Sequence, residues 1–250
     1  MSFGSEQGIA QESYFHKLLW ALRGDFHIGR WIRYFQLKKV LDRFPIRPQT
    51  ILDAGCGTGQ NTFYLESRFH SASIDGIDIS PDYIRICEAI RTKLRSRISF
   101  SVSDLQKFSS PKRYDMILLC NVLYAIADYQ RTLFNGLESL SESGWIIIEE
   151  MNISFIQRRI GPHVKTVHDA VRMGFTLEEL TSLLRDKNIK IHLAQKTIGP
   201  SSDFAHRLFG HVRTNSMLLN VLFPFLLFLA YRDPVFGAKD GAGLLIVGQK

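Results

Sequence analysis

Three glycines alternate at Gly55, Gly57 and Gly59, directly behind the apolar pair Ile51 and Leu52 and the acid Asp53. Glycines so placed let a backbone approach a ligand closely. A dinucleotide loop carries G-x-G-x-x-G after its first strand, but here the position of the third glycine holds Gln60. A phosphate loop requires Gly-Lys-Ser/Thr, which "GCGTGQ" does not contain. Asp53 suits a cationic ligand better than a pyrophosphate.

Other chemistry-bearing residues are fewer. His27, His163 and His168 are weak candidates for a base. A spacing of five sets His163 and His168 about 140° apart on a helix, so they make no ready metal pair, and no metal is expected. His206 and His211 meet the same objection. Cys56, Cys87 and Cys120 are odd in number and widely spaced. Neither a zinc site nor a disulfide framework is expected of them, and they read as reduced packing cysteines of a cytoplasmic protein.

The elements that must position these residues follow from periodicity. Residues 12–44 read as helices, with Trp31, Tyr34, Phe35, Leu37 and Leu41 at three- and four-residue steps and Gly24 and Gly29 as punctuation. After the break at "PIRP", strand and helix patterns alternate. The strands are "TILDAG", "ASIDGIDI", "ISFSVSD", "YDMILLCN" and "GWIIIEE", with "IKIHLAQKTI" and "GLLIVGQK" further on. The runs "MILL" and "WIII" are apolar without alternation, as strands covered on both faces require. Ser80 with Pro81, and Thr176 with Glu179, are helix-start signals. The fold expected is α/β, a doubly wound, mostly parallel seven-stranded sheet with N-terminal helices and helical insertions. The organisation expected is an N-terminal helical cap over 1–48, a ligand-binding core over 49–150, and the rest of the sheet over 151–250 with insertions at 151–175 and 199–238.

With these motifs in order, the chain resembles the class I S-adenosylmethionine-dependent methyltransferases, which have a Rossmann-like fold. "LDAGCGTG" is similar to that family's first motif, "IDGIDIS" to its second-strand motif, "SVSDLQKF" to the third, "YDMILLCNVLYAIAD" to the fourth and "LESLSESGWIIIEE" to the fifth. The resemblance covers roughly residues 49–150. It implies S-adenosylmethionine as cofactor. It implies Asp78 on the ribose hydroxyls, Ile79 against the adenine, and Asp104 and Leu105 near the adenine. Gly55, Gly57 and Gly59 would pass under the methionine, with Asp53 helping to fix that end, and Cys56, Asn61 and Asn121 would be further cofactor-binding positions. Arg30 or Tyr34, in the segment that usually closes over the cofactor, would meet the cofactor carboxylate.

Methyl transfer from a sulfonium is an in-line displacement, so no catalytic residue is named beyond the three histidines. "NVLY" after the fourth strand lacks the prolines of the amino-methylating Asn/Asp-Pro-Pro-aromatic motif. That speaks against a DNA substrate and resembles the small-molecule branch. The acceptor expected is small or lipid-like. A non-catalytic cofactor-binding scaffold is the alternative, and an RNA methyltransferase a more distant one, motivated by the net charge of +7. The first would show no turnover, and the second would bind RNA with steep salt dependence.

The N-terminus has neither the basic nor the apolar part of a secretory signal. "MLLNVLFPFLLFLAY", residues 217–231, spans roughly 22 Å as a helix, short of a bilayer's hydrocarbon core. It is expected as a lid beside the site, a core helix, a homodimer face, or an interfacial helix on a membrane. Basic residues from Arg85 to Arg97 and at Arg158 and Arg159 accompany it. The location expected is cytoplasmic, peripheral to a membrane where that helix docks.

Overall fold

The computed structural model describes residues 27–160, 171–213, 215–236 and 238–250. Seven strands form one sheet in the order β3-β2-β1-β4-β5-β7-β6. They are β1 (Thr50–Ala54), β2 (Ser73–Asp78), β3 (Ser99–Val102), β4 (Tyr114–Cys120), β5 (Leu140–Met151), β6 (Lys190–Thr197) and β7 (Gly243–Gln249). β1 to β5 pair in parallel, and β7 runs antiparallel between β5 and β6. The doubly wound, mostly parallel sheet expected from the alternation of strand and helix patterns is therefore present. The chain turns outward in both directions from the β1/β4 pair, which makes that point the switch of an open α/β sheet.

Period-two alternation divides the core between the two faces of the sheet. Leu52, Ile77, Ile117, Leu119, Ile146 and Ile148 face α4 (Tyr129–Glu138) and α6 (Leu177–Asp186). Ile51, Ile74, Met116, Leu118 and Ile147 share the opposite core with Leu37, Val40 and Leu41 of α1 (Ile28–Arg43) and Leu65 of α2 (Gln60–Arg68). Each fully buried Leu or Ile stabilises the fold by roughly 1.5–3 kcal/mol. Of the N-terminal helical expectation, residues 12–26 lie outside the described residues. α1 runs through Gly29 rather than stopping at it.

The start signals hold. Ser80 Oγ accepts from Tyr83 N at the head of α3 (Pro81–Leu94). Thr176 Oγ1 accepts from Glu179 N at the head of α6, but the Glu179 carboxylate, which a capping box would return to the backbone, is instead held by Arg172 and Tyr129.

The 199–238 insertion folds as a helical hairpin, α7 (Pro200–Val212) and α8 (Ser216–Phe236), after the shorter α5 (Ile153–Ile160) of the earlier insertion. Gly199 offers α7 no side-chain cap. Buried Asp233 from the far end of α8 takes that role, accepting from Ser202 N at 2.6 Å, where a carboxylate also complements the helix dipole. α1, α7 and α8 enclose a third core, with Ile28, Ile32, Phe209, Phe223 and Leu226 inside.

Candidate active site

A cavity of about 580 Å³ opens at the carboxyl ends of β1, β2, β3 and β4. One wall is the glycine loop. Gly55 N and Cys56 N both donate to Ile77 O, 2.8 and 2.9 Å, and bind the loop to β2. Gly55 has φ +80°, and a Cβ there would lie 2.3 Å from Val122; only glycine permits that contact. Gly57 has φ +55° but faces open space. Its missing side chain leaves room for a ligand rather than for protein.

Asp78 ends β2 and joins this wall. Oδ2 accepts from Gly57 N and Oδ1 from Ser80 N, each at 2.9 Å. Two bonds leave lone pairs on both oxygens, and the residue lines the cavity. Ile79 beside it is 66% exposed and also lines the cavity, a ready apolar contact.

The opposite wall carries Asp104, Leu105 and Gln106 after β3, and Asn121, Val122 and Ile126 after β4. Asp104 Oδ1 accepts from Gln106 N at 2.9 Å, which fixes its turn. Asn121 adopts φ +55° and donates its N–H to Glu149 O at 2.7 Å. The next turn is held by Glu150, whose Oε1 accepts from Val122 N at 2.9 Å and Leu123 N at 2.6 Å. Burial pushes the Glu150 carboxyl up to about 8, against those N–H groups, which favour its charged form. Val171 closes the rim. Its neighbour Arg172 makes a bidentate pair with Glu179, donates to Gly174 O and lies 4.0 Å from the Phe175 ring centroid.

Gly55, Cys56, Gly57, Asn61, Asp78, Ile79, Asp104, Leu105 and Asn121 all meet at this cavity. Asp53 and Gly59 stand behind it. Asp53 is buried and accepts from Thr62 Oγ1 at 2.6 Å, and burial pushes its carboxyl up to about 6. A Cβ on Gly59 would lie 3.0 Å from Phe63 and from Cys87 Sγ. His27 precedes α1, with its ring 5.3 Å from Phe209, and belongs with Arg30 to the α1–α7 side rather than the cavity wall. His163 and His168 lie outside the described residues. No described residue of 199–238 lines the cavity, so the expected lid is not formed by that hairpin there.

Sequence reasoning passed over Tyr83, Cys120, Val122 and Val171, which line the site, and Glu150 and Arg172, which hold it. Of these, only the buried acid ending "WIIIEE" left a signal, a carboxylate closing an apolar run. Cys120 Sγ meets the other acid of that pair, Glu149 Oε2, at 3.4 Å. Burial raises the Glu149 carboxyl, and Arg33 opposes that.

Comparison with known proteins agrees with this geometry. The family model described as a methyltransferase domain matches residues 48–209. The ubiquinone biosynthesis O-methyltransferase of Candida albicans is 26% identical over 110 residues, 43% of this chain and 34% of that protein. A malonyl-(acyl-carrier protein) O-methyltransferase of Ilyobacter polytropus is 32% identical over 142 residues, 55% of this chain and 53% of that protein. The chain thus spans about half the length of such relatives, or less. The solved structure of the N-methyltransferase NodS from Bradyrhizobium japonicum, in complex with S-adenosylhomocysteine, superposes with a TM-score of 0.57 at 20% identity. It covers 92% of this chain and 91% of NodS. The matched model takes in the glycine loop, the Asp78 edge and the β4 turn together, and the chain belongs to the class I S-adenosylmethionine-dependent methyltransferase family.

Proposed function

We propose that this chain binds S-adenosylmethionine in the 580 Å³ cavity and transfers its methyl group to a small or lipid-like acceptor. One observation carries the reading. Asp78, with free lone pairs, stands beside the exposed Ile79 and the open Gly57, at the switch point where open α/β sheets bind ligands. The residues fit the cofactor. Asp78 can accept two ribose hydroxyls, Ile79 and Leu105 can sandwich a purine, and Gly57 leaves room for the methionine chain. NodS, of the same fold, was solved with the demethylated product of that cofactor.

When bound, the cofactor supplies an electrophilic methyl on a sulfonium. The chain's part is positioning: the glycine loop and Asp78 hold the donor, and the Asn121–Ile126 turn and Val171 shape the acceptor side. Held in line, such a pair reacts without a covalent enzyme intermediate. An acceptor that loses a proton needs a base. No histidine lines the cavity among the described residues; His163 and His168 lie outside them. The setting read for the acceptor is cytoplasmic and peripheral to a membrane.

Two measurements test this. Isothermal titration should give S-adenosylhomocysteine binding to the wild type, weakened at least about tenfold in Asp78→Ala, for loss of one charged hydrogen bond or more. Equal affinity would refute the ribose role of Asp78. Methyl-labelled S-adenosylmethionine incubated with a cell extract should give enzyme-dependent label in the organic phase for a lipid-like acceptor. Label confined to the aqueous phase would point to a soluble one, and no label to a non-catalytic binder.

A further inference from the structure

The hairpin α7–α8 has a side that the fold does not use. Leu219, Phe223, Leu226 and Ala230 face inward and are buried against α1 and α7. On the outer side Met217, Val221 and Phe228 are 78%, 68% and 62% exposed, with Phe225 also exposed between them. Their steps of four, four and three set them in one stripe along the helix. An apolar stripe of this kind on a monomer marks a contact with something else.

Charge decides what. From Phe204 to Arg232 the chain holds Arg207, Arg213 and Arg232 and not one acidic residue. Arg213 and Arg232 are exposed and stand just before and just after the stripe. Arg207 is paired with Asp203 at 3.0 Å, and Asp233 is buried on Ser202 N. The exposed charge beside the stripe is therefore that of Arg213 and Arg232, which a two-fold dimer, facing the same patch to itself, would bring together. An anionic lipid surface has the opposite property. It accepts the stripe among its acyl chains and attracts each arginine by about 1 kcal/mol. Tyr231, half exposed beside Arg232, suits the headgroup level. Among the described residues no helix is long and apolar enough to cross a membrane, so the helix would lie in the interface.

We propose that the outer face of α8 docks this protein onto an anionic membrane surface, through Met217, Val221, Phe225 and Phe228 with Arg213 and Arg232 at the ends. The docked helix packs on α1, which belongs to the same third core. The proposal deepens the lipid-like acceptor reading, but its test does not depend on methyl transfer.

The test is flotation of the full chain with vesicles of phosphatidylcholine alone or mixed with phosphatidylserine. The wild type should float with the mixed vesicles, and less so as salt rises. Val221→Glu/Phe228→Glu should lose flotation at least tenfold. Both positions are exposed, so an unchanged circular dichroism spectrum and melting temperature are expected. Arg213→Glu/Arg232→Glu should shift the salt dependence toward lower salt. Failure of the wild type to float with anionic vesicles overturns the proposal. So does a concentration-dependent dimer in sedimentation that Val221→Glu/Phe228→Glu splits, which would make a second copy the occupant. Flotation without label transfer in the extract assay would leave the docking surface standing and remove the activity.

Discussion

At the scale of single residues, the carboxyls around the cavity do different work because their surroundings differ. Asp78 receives two backbone N–H groups at a half-open edge and keeps lone pairs for a ligand. Glu150 receives two as well, but deep inside, where burial raises its carboxyl to about 8. The folded chain therefore holds a proton on Glu150 that the unfolded chain has lost between the ordinary carboxylate range and pH 8. Stability contributed at this position falls as pH rises across that window. Glu150→Gln keeps an acceptor for Val122 and Leu123 and removes the ionisation. Denaturant melts at pH 5 and pH 8 should show wild type losing more stability than the variant between those pH values, by at least about 1 kcal/mol. Equal loss would mean that Glu150 does not carry the proton. The sequence made the ligand-side residues legible because their types are unusual where they stand: glycines in a row, an acid ending a strand. Glu150 and Asp53 are equally unusual, but whether such an acid faces a ligand or the interior depends on the register of its strand with its neighbours.

Among elements, the turns after the strands build the site and the helix heads brace it. The segment at Val171–Phe175 is tied to α6 by Arg172, whose guanidinium bridges Glu179, Gly174 O and the rings of Tyr129 and Phe175. Its own N–H donates to Tyr124 O, in the turn after β4. Arg172→Ala should cost roughly 2 kcal/mol by denaturant melt, for a charged, partly buried pair. Arg172→Lys should recover little, since an ammonium cannot make the bidentate fork. Full rescue by lysine would reduce the contact to simple charge attraction. The strands and most helices were legible from sequence, since unbroken apolar runs and three-to-four spacing respond to the burial that the sheet imposes. The diversion of Glu179 from its expected capping box was not, because its partners Arg172 and Tyr129 come from other segments. The sequence left the hairpin's position open among lid, core, dimer face and membrane interface for a related reason. Its apolar content gave a buried helix, but not which of three cores would bury it.

The whole molecule consists of a sheet with two cores and a third core of α1, α7 and α8 set to one side. The sheet's central strands β1, β4, β5 and β7 are covered on both faces, so their amides should exchange only through global unfolding. The α7–α8 amides should exchange through a smaller opening of the third core alone. Mass-spectrometric exchange with equal protection in both regions would make the three cores one cooperative unit. The order of the strands has a consequence for synthesis. β6 stands at the sheet edge and pairs only with β7, and β7 is the later of the two to be made. As the chain leaves the ribosome, β6 emerges with no neighbour to join, and the whole apolar hairpin follows before β7 arrives to join β6 to β5. During that interval the molecule carries an open strand edge and an uncovered helix together, the combination that invites aggregation of nascent chains.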